Sequence, residues 1–176
     1  FGTEASKSEN YGRIINQRQF LRIKSLLSQG EIIFGGKHDE RNNYISPTLI
    51  KPYELNNSLM QDEIFGPILP ILEFENIESV IEYINKRPRP LALYYFGNKN
   101  INIIKRTTSG GACINDAIMH IIPHSLPFGG IGQSGMGSYH GKKSFDTFSH
   151  YKSVIKKKKN FEFKIKYPPY TSLKQK

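Results

Sequence analysis

The chain has 176 residues, of which 38% are hydrophobic and 23% are charged, and it includes ten tyrosines and eleven phenylalanines. This composition excludes a disordered or fibrous protein and permits one globular domain or a part of a larger protein. Most of the net charge of +10 lies in residues 151–176, where nine lysines stand against the single acid Glu162. A domain-wide nucleic-acid-binding surface is therefore not expected, and polyanion binding by residues 152–166 is kept only as an alternative.

The single cysteine and the absence of targeting signals indicate the compartment. Cys113 alone cannot form an intramolecular disulfide or a cysteine-cluster metal site, and this usage is typical of the reducing cytoplasm. No signal peptide is recognisable, and no apolar run approaches the roughly 18–20 residues of a membrane span, so we expect no membrane anchor in this chain. Because residue 1 is Phe1 rather than methionine, we expect the chain to begin within a longer protein.

The first predicted elements are a helix and two strands. Asn16 as an N-cap and Gly30 as a stop signal frame apolar residues at helical spacing, which predicts a helix over residues 17–28. Runs of β-branched and aromatic residues predict strands at 31–34 and 44–50.

After Pro67 the pattern alternates regularly between strands and helices. The predicted elements are strands at 68–74, 91–96 and 112–115 and helices at 77–86 and about 100–108. Near-continuous apolar strands in β-α-β-α-β order indicate an α/β fold with a parallel sheet and right-handed crossovers. Residues 121–141, rich in glycine and proline, are predicted to form a long functional or linking loop. A short helix at 141–148 and strands at 151–155 and 161–166 are predicted to follow.

Three patterns that often mark chemical sites are rejected on their context. Residues 130–135 match G-x-G-x-x-G, but prolines precede them where a nucleotide-binding fold requires a buried strand. His120 and His124 have helical spacing, but Pro123 lies between them and no acidic third ligand is suitably placed, so no metal site is expected. Cys113 lies in a predicted buried strand, where a thiol acts as a small hydrophobic side chain.

Two longer segments resemble motifs of aldehyde dehydrogenases. Residues 60–67 (MQDEIFGP) resemble the E-x-F-G-P motif, and residues 126–137 (LPFGGIGQSGMG) resemble the P-F-G-G motif. Shorter matches occur in order over about residues 8–170 and are similar to the class 3 branch, which acts on medium- and long-chain aliphatic or aromatic aldehydes. These matches are Tyr11–Asn16, Arg89–Tyr94, Cys113–Asp116, Ser138–Lys142, Phe145–His150 and Lys166–Pro169.

The resemblance implies that the chain is the C-terminal part of such an enzyme, which oxidises aldehydes to carboxylic acids with NAD or NADP. It implies the parallel βαβ sheet of the catalytic domain within residues 1–140, and a C-terminal β oligomerisation arm with a basic tail in residues 141–176. A homodimer formed through this arm is expected. The family's nucleophilic cysteine, general-base glutamate and oxyanion-binding asparagine precede the matched segment, so we expect no catalytic residue here and no activity of the chain alone. The alternative is a non-catalytic dimerisation module that pairs with a full-length paralogue.

The resemblance also assigns site residues. Glu63 and Phe65 match the cofactor contacts, in which the carboxylate accepts hydrogen bonds from the nicotinamide ribose and the ring packs beside it. Without the motif, the same two residues are interpreted as a solvated turn carboxylate and a core ring. Phe128 matches the aromatic residue that lines the aldehyde pocket. Ile122 and His140 match positions in the wall of the aldehyde tunnel, and simple core or loop packing is the alternative for both.

Overall fold

The computed structural model describes residues 1–98 and 102–170, and it divides the chain into two compact units. Unit 1 comprises Phe1–Val80, and unit 2 comprises Ile81–Lys176. The helices are α1 (Gln17–Leu26), α2 (Ser58–Gln61), α3 (Ile77–Asn85), α4 (Asn102–Arg106) and α5 (Gly141–Thr147). The strands are β1 (Gly30–Phe34), β2 (His38–Asp39), β3 (Tyr44–Ile45), β4 (Thr48–Pro52), β5 (Ile68–Pro70), β6 (Ala92–Tyr95) and β7 (Gly111–Ile114).

Helix α1 begins at the predicted cap. Asn16 has extended backbone angles, and its side-chain oxygen accepts a hydrogen bond from the Gln19 backbone N–H at 2.9 Å. This bond satisfies one of the N–H groups that the first helical turn leaves without a partner. A short 3-10 turn over Leu27–Gln29 completes the segment before β1, so the predicted helix at 17–28 is confirmed.

The sheet of unit 1 is mixed. Strand β4 lies between β1, to which it is antiparallel, and β5, to which it is parallel, and β2 and β3 form a separate antiparallel pair. The single strand predicted at 44–50 is wrong, because it divides into β3 and β4 at Ser46 and Pro47. Pro47 has no N–H group to donate to a ladder, which explains the interruption.

The core of unit 1 forms between α1 and the sheet. Phe20, Ile23 and Ile50 have no exposed surface, and Ile45 and Leu59 are almost fully buried beside them. Because these side chains come from α1, from α2 and from strands that follow α1 in sequence, the apolar face of α1 fixes the sheet relative to the helix.

Unit 2 has a parallel strand pair. Strand β6 pairs with β7 in the register Ala92↔Gly111 to Tyr95↔Ile114, and α4 lies in the connection between them. The predicted strand at 68–74 does not extend this sheet, because β5 ends at Pro70 and pairs with β4. The expectation of one parallel sheet with all three strands is therefore corrected to mixed and separate sheets among the described residues. No helix in residues 1–98 or 102–170 has the length and apolarity to cross a membrane.

The strands predicted at 151–155 and 161–166 are wrong. Residues 151–163 have no regular secondary structure, and Lys164–Lys166 form a 3-10 turn. Val154 is 76% exposed and Ile155 is 92% exposed, although their side chains suit a sheet. A strand needs a partner for its backbone groups, and the described part of the chain offers this segment none.

The start of this C-terminal segment is held to helix α5 by charged and polar contacts. Lys142 Nζ donates to both carboxylate oxygens of Asp146 at 2.7 and 2.8 Å, and the Tyr151 hydroxyl donates to the same carboxylate. The Lys142 ammonium also lies 6.0 Å from the centre of the Tyr151 ring. The hydrogen bond from Lys142, followed by that from Tyr151, holds the pKa of Asp146 below its ordinary value.

These contacts are expected to weaken in acid. Because the folded state lowers the pKa of Asp146, the stabilisation is complete above the ordinary pKa of 3.8 and is lost as the pH falls through the lower folded value. We therefore expect the Tyr151 ring resonances in NMR spectra to move as the pH falls through the folded pKa of Asp146, which lies below 3.8. In Asp146→Asn the same resonances should already have the shifted values at pH 7 and should not change with pH. A wild-type Tyr151 signal that stays constant while the Asp146 carboxyl resonance titrates would contradict the assignment.

Candidate functional site

The loop between α2 and β5 presents Glu63 and Phe65 to solvent. Glu63 is exposed, and among the described residues its carboxylate makes no hydrogen bond or ion pair. Phe65 is 81% exposed, and its φ of +49° lies in the left-handed region. An exposed aromatic side chain with left-handed backbone angles is unusual, since both the exposure of its ring and its backbone conformation are unfavourable. Phe65 is therefore not part of the core of unit 1.

Neighbouring residues fix this loop to unit 1. Ile64 packs against the buried core cluster, and a Cβ on Gly66 would lie 2.8 Å from the Ile23 side chain of α1. Arg22, also on α1, donates from Nη2 to the Ile64 carbonyl oxygen at 2.6 Å. The loop can therefore expose an acceptor-only carboxylate and an apolar ring two residues apart, a pair suited to a hydroxyl-bearing ligand with an apolar face.

Unit 2 contains an aromatic cluster around Phe128. The Phe128 ring centre lies 5.7 Å from that of His120, 5.8 Å from that of Tyr139 and 6.3 Å from that of His140. Backbone bonds of 3.0 Å join Phe128 and Tyr139 in both directions, so an isolated antiparallel bridge holds the cluster. This bridge gives the otherwise irregular loop at 121–141 a fixed geometry beside a largely apolar surface.

His140 is the strained member of this cluster. Its φ is +90°, its ring stacks on Phe128 with an interplanar angle of 30°, and it contacts Tyr139 edge-on at 4.4 Å. Its backbone N–H donates to the Ser144 hydroxyl at 2.9 Å, while Nδ1 is buried with no hydrogen-bond partner among the described residues. Backbone strain together with an unsatisfied buried nitrogen is typical of functional positions.

The structure brings two of the three predicted pocket residues together. Phe128 and His140 are in ring contact, whereas Ile122 follows the 3-10 turn at Met119–Ile121 and is 57% exposed. Glu63 and Phe65 belong to unit 1 and form their own surface feature.

Cys113 has a partner that the sequence analysis missed. Its sulfur lies 3.4 Å from Nδ1 of His120, and both residues are half-buried. The spacing of seven residues in the sequence does not indicate this contact. Gly111 is the one local signal, because a Cβ at this position would overlap the His120 ring. Within residues 1–98 and 102–170, no group of three or more histidine, cysteine or acidic residues could hold a metal ion.

The glycine-rich segment at 130–135 does not open a helix. Gly132–Ser134 form only a 3-10 turn, and Gly135 follows with φ of +130°. The Ser134 hydroxyl accepts from the Ile131 N–H at 2.8 Å and donates to the Ile131 carbonyl at 2.9 Å, which closes the loop on itself. This geometry supports the rejection of a nucleotide-binding fingerprint there.

Comparison with known proteins was made on the sequence and on the fold. Residues 1–154 match the profile described as the aldehyde dehydrogenase family. The chain is 51% identical to aldehyde dehydrogenase family 3 member A2 of Rattus norvegicus over 175 residues, covering 96% of this chain and 36% of that protein. It is 47% identical to the dimeric NADP-preferring aldehyde dehydrogenase of the same species, covering 96% of this chain and 38% of that protein.

Solved structures give the same result. The substrate-bound state of Staphylococcus aureus AldH is similar with a TM-score of 0.81 and 45% identity, over 97% of this chain and 38% of that one. An indole-3-acetaldehyde dehydrogenase in complex with NAD+ is similar with a TM-score of 0.71 and 25% identity, over 82% of this chain and 31% of that one. The chain therefore spans between 31% and 38% of the length of these proteins.

Proposed function

Because the chain belongs to the aldehyde dehydrogenase family, we propose that it forms part of a family 3 enzyme that oxidises aldehydes to carboxylic acids with NAD or NADP. The observation that carries this proposal is the Glu63 carboxylate, which has no partner in residues 1–98 and 102–170, beside the exposed, left-handed Phe65. The chain spans about 38% of its relatives, so the nucleophilic cysteine, general-base glutamate and oxyanion-binding asparagine are assigned to the remainder of the complete subunit.

Glu63 and Phe65 are proposed to hold the nicotinamide ribose. An ionised carboxylate only accepts hydrogen bonds, so Glu63 can take both hydroxyls of a ribose, and the exposed Phe65 ring can cover the apolar face of the sugar. The nicotinamide, when bound, supplies the hydride acceptor for aldehyde oxidation. These two side chains contribute by binding and orienting it, since a correctly placed reactant needs less reorganisation in the transition state.

The aromatic cluster of unit 2 is proposed to line the aldehyde pocket. Phe128 and His140 present contacting rings, and Ile122 offers an exposed aliphatic side chain, which suits medium- or long-chain aliphatic and aromatic aldehydes. Such a surface binds the apolar part of the substrate by burial and leaves the carbonyl chemistry to residues elsewhere in the subunit.

We assign residues 1–140 to the catalytic domain and 141–176 to an oligomerisation arm with a basic tail. The rat relative is described as dimeric, and the exposed apolar side chains of residues 151–155 have no strand partner among the described residues. Pairing with the sheet edge of a second subunit would give the backbone N–H and C=O groups of this segment hydrogen-bond partners and would form a homodimer. The half-buried Cys113 is a free thiol, which fits a cytoplasmic enzyme.

A chimeric enzyme tests the proposed function. In it, these 176 residues replace the structurally matching 38% of the Staphylococcus aureus AldH chain. We expect the chimera to reduce NAD or NADP when an aldehyde is added, and we expect the 176-residue chain alone to give no product. A folded chimera without activity would contradict the proposal and would favour the non-catalytic dimerisation module, for which co-purification with an active subunit is the measurement.

Glu63→Gln in this chimera is expected to raise the KM for the cofactor by about tenfold or more. The amide is nearly isosteric but loses the charge, and hydrogen bonds to charged groups are worth about 1.5–3 kcal/mol. Steady-state kinetics with varied cofactor at saturating aldehyde measures the change. Glu54→Gln replaces another exposed glutamate outside the loop and serves as the control, which should leave KM unchanged. Equal cofactor KM values for Glu63→Gln and Glu54→Gln would refute the role of Glu63.

A further inference from the structure

We propose that Arg22 is a positioning residue for the cofactor contact, because its guanidinium holds the backbone on which Glu63 and Phe65 are presented. The inference rests on the proposed function of these two residues and adds a residue outside the sequence motif. Arg22 lies on α1, about forty positions before the loop, and the sequence analysis gave it no role.

The guanidinium uses three of its nitrogens in different directions. Nη2 donates to the Ile64 carbonyl oxygen at 2.6 Å, and Nη1 lies 3.5 Å from the Glu63 carbonyl oxygen. Nε donates to the side-chain oxygen of Gln19 at 2.7 Å, one helical turn earlier. The planar fork therefore contacts two successive carbonyls while its own orientation is fixed from the helix, which a lysine ammonium cannot reproduce.

The Ile64 carbonyl is the group that most affects Phe65. It belongs to the peptide plane that joins the two residues, so its direction is coupled to the φ angle of Phe65. That angle is +49°, in a region that side chains with a Cβ disfavour, and the loop needs an outside contact to remain there. A charge-assisted bond of 2.6 Å to this carbonyl supplies such a contact.

Helix α1 is a rigid support for this arrangement. Asn16 caps its first turn, and Phe20 and Ile23 are fully buried in the core. Gly66, immediately after Phe65, lies so close to Ile23 that an added Cβ would stand 2.8 Å from it. The loop is thus held on one side by packing against Ile23 and on the other by the Arg22 fork, and both contacts come from neighbouring residues of one helix.

The first test uses backbone NMR relaxation of the 176-residue chain itself. Arg22→Lys and Arg22→Met are expected to lower the order parameters of residues 62–66 to below about 0.6, while those of α1 and β4 stay near about 0.85. Arg18→Met on the same helix is the control, because Arg18 is exposed and makes no hydrogen bond to the loop. Order parameters of residues 62–66 that are unchanged in Arg22→Met would overturn the proposal whatever the chimera shows.

The second test separates positioning from general stability. In the chimera described above, Arg22→Met is expected to raise the Kd of NADH, measured by its fluorescence, and the cofactor KM by about tenfold, with the KM for aldehyde within about twofold. Arg22→Lys should restore less than half of the cofactor affinity that Arg22→Met loses, because one ammonium cannot bind both carbonyl oxygens. If the KM values for cofactor and aldehyde rise equally, or if the cofactor KM does not rise, Arg22 has only a structural role and the proposal is overturned.

The two proposals fail in different ways. If Glu63→Gln weakens NADH binding and Arg22→Met does not, the ribose contact stands and the positioning role is refuted. If the unsubstituted chimera is folded and binds no NADH, the proposed function is refuted and the positioning role falls with it. Lower order parameters of the loop together with selective loss of NADH binding are the result that supports both.

Discussion

Replacing Phe20 with alanine is expected to lower the free energy of unfolding of unit 1 by about 3–5 kcal/mol. Phe20 has no exposed surface and packs with seven other buried residues of the core cluster. Truncation removes the ring and leaves a cavity that the capped helix and the sheet cannot easily fill. The variant therefore loses the transfer free energy of the buried ring and also has the energetic cost of the cavity. Since whole domains are stable by only about 5–15 kcal/mol, a large part of unit 1 should unfold in the variant.

Urea unfolding of the complete chain, followed by near-ultraviolet circular dichroism and by hydrogen exchange of residues 17–52, measures this loss. Phe74→Ala is the matched control, because Phe74 is 62% exposed and its truncation is expected to cost less than about 1 kcal/mol. A midpoint for Phe20→Ala that coincides with that of Phe74→Ala would show that the core has been wrongly identified.

Gly129→Ala is expected to be the second severe substitution and to destabilise the loop around Phe128 by about 3 kcal/mol. An added Cβ would overlap the Gly137 carbonyl oxygen and lie 2.8 Å from the Ser138 Cα. Both obstacles are backbone atoms, so no side chain can rotate away to make room. The segment carrying Tyr139 must move, which breaks the two 3.0 Å hydrogen bonds between Phe128 and Tyr139.

Amide exchange of Phe128 and Tyr139 is the direct readout and should become at least about a hundredfold faster. Gly137→Ala separates crowding from backbone strain, since Gly137 has φ of +78° but free space around its Cβ position. Gly137→Ala should therefore destabilise the loop by only about 1–2 kcal/mol. If the Phe128–Tyr139 bridge is as protected in Gly129→Ala as in the native chain, the close approach of the two segments is refuted.

Local signals were sufficient to predict α1, α3 and α5, whereas the short helix α2 at Ser58–Gln61 was not predicted. Asn16 and the apolar positions of α1 predicted a helix whose cap and buried face are observed, and α3 and α5 lie within one residue of their predicted ends. These features depend on neighbours three or four positions apart, which a single sequence displays.

Strand partners could not be predicted with the same accuracy, because pairing depends on distant residues. The run at 68–74 had the apolar character of a central parallel strand, but only Ile68–Pro70 pair, and they pair with β4. The alternating residues 151–155 have strand propensity without a partner in the described chain, and propensity alone does not form a strand.

The site residues also divide into those that a local motif indicates and those that depend on contacts between distant residues. Motif resemblance indicated Glu63 and Phe65, and the structure adds the exposure of both and the left-handed backbone of Phe65, on which the proposed ribose contact rests. Arg22 escaped the analysis, because an arginine on a helix is ordinarily a solvated residue and nothing local links it to a loop forty positions away. The contact of Cys113 with His120 escaped it for a similar reason, since a turn brings the two together.

The pairing of β1 with β4 encloses the pairing of β2 with β3, and this nesting lowers the entropy lost when unit 1 folds. The inner pair joins Asp39 to Tyr44, and the outer register then advances through Phe34↔Leu49 to Gly30↔Pro52. Each contact closes a loop only a few residues longer than the one before, so each step loses much less chain entropy than direct closure of the outermost pair would. Contacts that are nested in this way keep the contact order of the antiparallel region low, which is the property associated with rapid folding.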